Sequence, residues 1–204
     1  MNSRNMFSHN LNQLIEARQL FARHHYSKAL AIYLEIAEEQ KEPYLFTLIS
    51  DCYWGLAERD SKYYQESLIW VQKAVELDPD NARLHVKLGT IYWLGLALYE
   101  QAVKEYRLAV QLNPNDAEVL FYACSLWEEP EKWITIEELM TWSLRAVQLE
   151  PDNPDYWVRL ANIYEVTQQY DKSVEALYNA LLCPSLENYT VRNIQMICAD
   201  IARE

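Results

Sequence analysis

The chain is poor in glycine, in basic charge and in long apolar runs. Its 204 residues hold three glycines, Gly55, Gly89 and Gly95, each isolated in helical text. That excludes a glycine-rich phosphate loop and a Gly-x-Ser-x-Gly nucleophile turn. It also leaves few turns that demand positive φ, and with Leu, Ala, Glu, Gln and Lys frequent the composition reads as all-α. Eighteen basic residues face thirty acidic ones, a formal charge of −12. No basic stripe is concentrated along the chain, so nucleic acid and anionic membrane are disfavoured, while a basic protein partner is allowed. No stretch approaches about 18 uncharged apolar residues, and the start, "MNSRNMFSHNLNQL", lacks a signal-peptide core. The expectation is a soluble protein without direct membrane insertion, kept in the cytoplasm or another reducing intracellular compartment.

Chemistry-bearing residues are equally sparse. Cys52, Cys124, Cys183 and Cys198 lie far apart in apolar helical patterns, which suggests neither a disulfide framework nor a zinc knuckle and reads as small core residues. His24 and His25 are adjacent, and His9 and His85 stand alone, so the paired histidines of a zinc hydrolase are missing and "RHHY" reads as a turn. Carboxylates cluster in "AEEQKE" (37–42) and "EEPEKW" (128–133), but a general acid also needs a partner and a cleft, and spacing supplies neither. No catalytic residue, cofactor or metal is expected.

What is present is a repeated sentence: "VELDPDNARL" at 75–84, "QLNPNDAEVL" at 111–120 and "VQLEPDNPDY" at 147–156. Pro79, Pro114 and Pro151 recur at spacings of 35 and 37 residues. Each proline stops a helix, and the Asp or Asn beyond it is placed to accept the orphan N–H groups of the next. In the clearest unit, 82–114, Leu84, Leu88, Ile91 and Tyr92 with Gly89 share one helical face, and Ala102, Val103, Tyr106, Ala109, Val110 and Leu112 share another. Two amphipathic helices per period follow. Extending the pattern predicts antiparallel pairs near 10–41, 43–79, 81–114, 116–151 and 154–184 and a closing helix near 189–203, in a single domain over 1–204. Ala29, Ser67, Ala102 and Ser173 fall where a bulky side chain would hold two helices apart.

This pattern resembles the tetratricopeptide repeat family. The signature falls on Leu88, Gly89, Tyr92, Ala102, Tyr106, Ala109 and Pro114 in the third unit, and on Trp157, Leu160, Ala161, Tyr164, Tyr170, Ser173, Leu177 and Ala180 in the fifth. The third unit carries one extra residue between Tyr92 and Ala102, and the second and fourth are longer between their helices, at 55–64 and 128–139. The resemblance implies a right-handed superhelical solenoid whose concave wall, made by the first helix of each pair, holds a peptide or helix of a partner protein.

On that resemblance the wall comprises Leu14, Arg18 and Phe21, then Thr47, Asp51 and Trp54, then Val86, Thr90, Trp93 and Leu94, then Phe121 and Ser125, and finally Val158, Asn162 and Glu165. The set is aromatic, aliphatic and small polar, which suits an apolar or aromatic segment. It is a poor match to the subgroup that grips a peptide's C-terminal carboxylates, because only Arg18 could serve and Asp51 opposes the same charge. Trp54, Trp93, Trp127 and Trp157 fill space between helices or face the groove, with Trp54 and Trp93 favoured for the groove. In the 127–139 segment Thr135 with Glu137 and Glu138 reads as a helix start, or with Trp127 and Trp133 as a secondary contact site. Ile194, Ile197, Cys198 and Ile201 form an apolar stripe that caps the fifth pair or offers an oligomer contact. The function implied is a non-enzymatic interaction module or adaptor. The alternative is a permanent structural subunit held by its outer face or ends, with an enzyme-regulating domain third.

Overall fold

The computed structural model describes residues 3–127, 132–185 and 188–201. Every regular element among them is helical: α1 (Ser3–Ala22), α2 (Tyr26–Glu39), α3 (Pro43–Ala57), α4 (Tyr63–Leu77), α5 (Ala82–Thr90), α6 (Tyr99–Leu112), α7 (Ala117–Ala123), α8 (Ile136–Leu149), α9 (Pro154–Val166), α10 (Tyr170–Leu182) and α11 (Asn188–Ile201). Two compact units, Met1–Ala102 and Val103–Glu204, are each a stack of antiparallel helix pairs. In the first, α1 packs on α2, α2 on α3, α3 on α4 and α4 on α5; in the second, α7 packs on α8, α8 on α9, and α9 on both α10 and α11.

The turns between pairs form as the residues dictate. Asn81, Asp116 and Asn153, each two residues past a proline, accept backbone N–H groups from Arg83, from Glu118 and Val119, and from Asp155. Pro43 and Pro154 open α3 and α9, where a missing N–H costs nothing. His85 Nε2 and Trp157 Nε1 lie 2.8 Å from the carbonyls of Pro79 and Pro151, tying a helix back to the turn that precedes it.

Close packing within a pair depends on small residues at the crossing. Ala29, Ser67, Ala102 and Ser173 are fully buried. Ser67 Oγ donates to the Ser50 carbonyl at 3.0 Å while Ser50 Oγ reaches the Ser67 carbonyl at 2.9 Å, so α3 and α4 are bonded through both hydroxyls with no polar group left over. Ser173 Oγ makes the corresponding bond to the Ala161 carbonyl, 3.0 Å, between α10 and α9. Glycine serves the next contact outward. A Cβ at Gly55 would stand 2.5 Å from the Tyr26 ring, and one at Gly95 2.8 Å from the Tyr64 ring. The aromatic residue near the start of one pair's second helix therefore seats on a glycine at the end of the next pair's first.

Two departures from the repeat have visible causes. The extra residue of the third unit is absorbed by a π-helical turn, Ile91–Gly95, that continues α5, with Leu96 N–H on the Ile91 carbonyl at 3.1 Å. In the fourth pair the crossing position holds Leu139 in place of Ala or Ser, and Ser143 takes the position that Tyr33 and Tyr106 fill elsewhere; Leu139 is fully buried against Cys124. Facing that bulk, α7 stops after seven residues and runs on as a 3-10 turn, Cys124–Leu126. Residues 128–131 of the expected contact segment lie outside the described residues.

Cys52, Cys124 and Cys183 are buried, as their apolar surroundings predict. Cys198 is exposed and corrects the same expectation: α11 turns Ile194 and Ile197 inward and leaves Cys198 outside.

Candidate functional site: the first-helix walls

The wall residues of the first unit divide into packing groups and presented groups. Leu14 and Phe21 of α1 are half-buried against the cluster of Ala17, Tyr33, Ile49 and Cys52, whereas Arg18 is exposed. Thr47, Asp51 and Trp54 are half-buried on α3. Trp54 packs on Val71, Leu88 and Ile91 and meets Tyr64 edge-on at 5.0 Å, so much of its ring serves the interior. Val86 is buried, Thr90 and Trp93 are half-buried, and Leu94 is 54% exposed. The Thr47 and Thr90 hydroxyls donate to the Tyr44 and Val86 carbonyls of their own helices.

Asp51 is ion-paired with Lys87 of α5, a residue the sequence reading missed. The signal was available, since 36 residues separate the two, one repeat period, which sets opposite charges side by side on successive first helices. Deeper in the same unit the Tyr33 hydroxyl is buried with no hydrogen-bond partner among the described residues, and desolvation pushes its pKa up to about 12.

In the second unit the predicted residues converge. Trp127, Val158, Asn162 and Glu165 line one open cavity of about 490 Å³ together with Arg159 and with Met196 of α11. Val158 is 7% exposed and forms the floor, while Met196 is 65% exposed at the rim. Arg159 is the second residue missed. Its guanidinium lies 4.9 Å from the Phe121 ring centre and 5.8 Å from that of Trp127, and it donates to the Cys124 carbonyl at 3.3 Å. It stands 35 residues from Cys124, again one period. Phe121 is half-buried beside Tyr156, and Ser125 is buried in the 3-10 turn. Trp133 is half-buried with Lys132 over its ring at 5.3 Å and does not line this cavity.

Next to this wall, Thr135 and Glu138 form a reciprocal capping box at the start of α8. Glu138 also receives a two-pronged hydrogen bond from Arg107 of α6, at 2.6 and 2.8 Å. That guanidinium, with Thr135 assisting, holds the Glu138 carboxyl at about 2. Among the described residues, no three His, Cys, Asp or Glu side chains are grouped to hold a metal ion, and no helix is long and apolar enough to cross a membrane.

A stack of antiparallel helix pairs, spaced at about one repeat and joined by proline-stopped turns, defines the class of protein. The repeat assignment holds: residues 82–116 match the tetratricopeptide repeat model, and the fold is that of solved tetratricopeptide-repeat proteins. TTC0263 of Thermus thermophilus superposes with a TM-score of 0.69 at 18% identity, covering 93% of this chain and 99% of that one. YrrB, described as a TPR protein with an unusual peptide-binding site, gives 0.61 at 20% identity, covering 90% of each chain. MamA of Desulfovibrio magneticus gives 0.66 at 17% identity, covering 84% of this chain and 93% of that one. In sequence, the BBSome complex member BBS4 homolog of Drosophila melanogaster is 31% identical over 137 residues, 62% of this chain. The chain spans 28% of that relative's length.

Proposed function

We propose that the protein is a non-enzymatic interaction module that holds an apolar or aromatic peptide or helix of a partner protein on its first-helix walls. The observation that carries the reading is the cavity of about 490 Å³ in the second unit, where an indole, a methionine thioether and a buried valine floor stand beside the Asn162 amide and the Glu165 carboxylate. Such a surface offers an apolar anchor site with polar groups that fix orientation. Support from relatives is of the same kind: one matched structure is described as having a peptide-binding site, and the sequence relative as a complex member. An intracellular, cytoplasmic location accords with three buried free thiols.

A second reading, a permanent subunit held through its outer face, is favoured by one observation. Val174, Tyr178 and Leu182 of α10 are 51%, 61% and 64% exposed at helical spacing.

The test must spare the buried positions, because Val86→Asp or Val158→Asp would place a charge in the interior and unfold the chain. A Leu94→Asp plus Met196→Asp variant and a Tyr178→Asp plus Leu182→Asp variant keep the interior intact. Each is checked by circular dichroism and used beside the wild type in quantitative affinity capture from extract. Loss of a wild-type partner by the first variant alone supports the walls; loss by the second alone overturns that reading in favour of the outer face.

A further inference from the structure

The chain carries a net charge of −12, yet one cavity of about 240 Å³ in the first unit is lined by His24, His25, Lys28 and Arg59, with Tyr26, Ser27 and Leu56, and, among the described residues, by no carboxylate. Three segments meet there: the turn between α1 and α2, the first turn of α2, and the end of α3. Gly55 makes the meeting possible, because it lets the Tyr26 ring sit against α3 and so brings Arg59 toward the start of α2. His24 is held in place by a hydrogen bond of 2.6 Å between its Nδ1 and the Tyr26 hydroxyl. Neither Lys28 nor Arg59 has a side-chain ion pair or hydrogen bond among the described residues.

Two uncompensated cations facing one concavity repel each other, and in so acidic a chain a carboxylate neighbour would be the common outcome. The arrangement is therefore suited to an anion supplied from outside. Arg59 offers a planar fork, Lys28 a mobile ammonium, His25 a ring nitrogen and Ser27 a hydroxyl. That donor set exceeds what a carboxylate can accept and matches the three terminal oxygens of a phosphate group. Because His25 makes no side-chain cap at α2, the first N–H groups of that helix add to the positive potential of the cavity.

We propose that this cavity binds a phosphate group, either free or as a monoester on a partner's side chain. It is separate from the first-helix walls and does not depend on their reading.

The experiment is a titration of the full chain with inorganic phosphate, followed by amide chemical shifts, with chloride at matched ionic strength as the control. Saturable shifts at the Tyr26 and Ser27 amides are expected, and a Lys28→Gln plus Arg59→Gln variant should weaken binding about tenfold or more. Equal shifts with chloride, or an unchanged response of the variant, overturn the proposal. Should the double variant lose its helical spectrum, Arg59→Gln alone provides the same comparison. Arg59→Lys, which keeps the charge and loses the fork, should bind between wild type and Arg59→Gln. A phosphoserine peptide set against its unphosphorylated form separates the two sources: tighter binding than inorganic phosphate assigns the group to a partner, and equal binding assigns it to the free ion.

Discussion

His24, Ala97 and Gln168 adopt φ of 58°, 53° and 57°, a left-handed conformation in which a side chain is strained. All three lie in the turn inside a pair, where the chain reverses within a few residues, and none is glycine. His24 is compensated by its bond to Tyr26, whereas Ala97 has only its methyl to offer. Replacing Ala97 by Gly relieves the strain and loosens the unfolded chain, and relief outweighs loosening at this φ. Ala97→Gly should raise stability by about 0.5–1 kcal/mol in urea unfolding; a decrease would show that the strain argument is wrong. The thiols give a second check at this scale. Burial pushes Cys52 and Cys124 up to about 12 and raises Cys183, while Cys198 is exposed. A disulfide-exchange reagent on the native protein should therefore label one thiol quickly and the other three at the rate of unfolding, with Cys198→Ser removing the fast phase.

At the scale of an element, the start of α8 joins a local device to a distant one. The capping box is written within four residues, Thr135 to Glu138, and was legible in the sequence. The Arg107 fork comes from 31 residues away, and no local pattern announces it. Its consequence is a pH dependence. The Glu138 carboxyl lies at about 2 in the fold and near its ordinary value of 4.5 when unfolded, so its contribution is fully present above about pH 4.5 and is lost as the pH falls toward 2. With Glu138 and Arg107 side chains 28% and 41% exposed, screening reduces the contribution to about 1 kcal/mol. Glu138→Gln should lower stability at pH 7 by about that amount and make the acid limb of the stability curve shallower below pH 4.5. Parallel curves for the two proteins would place the dependence elsewhere. The same division between local and distant explains what else could be read in advance. Proline-stopped turns, Asn and Asp caps and small crossing residues are sequence-local and were all visible. The π turn was visible as one extra residue but not as a helix form. The exchange of size between Leu139 and Ser143 becomes visible only when the fourth pair is aligned to the others by structure. On the walls, Asp51 and Arg18 could be placed by repeat position, and Lys87 one period beyond Asp51 was open to the same reading, but the reach of Arg159 to Phe121, Trp127 and the Cys124 carbonyl required the contact between successive first helices.

For the whole molecule the governing quantity is charge. A formal −12 at pH 7 with an isoelectric point near 4.8 means that the fold is held against its own repulsion, which an extended chain relieves. Salt screens charges separated by more than about 8–10 Å while leaving contacts such as Arg107–Glu138 at 2.6 Å largely intact. Net repulsion should accordingly weaken more than specific attraction does. The thermal midpoint at pH 7 should rise by about 2–4 °C between roughly 20 and 200 mM sodium chloride, equivalent to about 1 kcal/mol for a chain of this size. Near pH 4.8, where the net charge vanishes, the same addition should leave the midpoint unchanged or lower it. A fall at pH 7 would mean that ion pairs such as Asp51–Lys87 outweigh the net repulsion. Scanning calorimetry in chloride and in phosphate at equal ionic strength then adds one further reading: the Lys28 and Arg59 cavity predicts an extra gain in phosphate that Arg59→Gln abolishes, because a ligand that binds only the folded chain stabilises it by mass action.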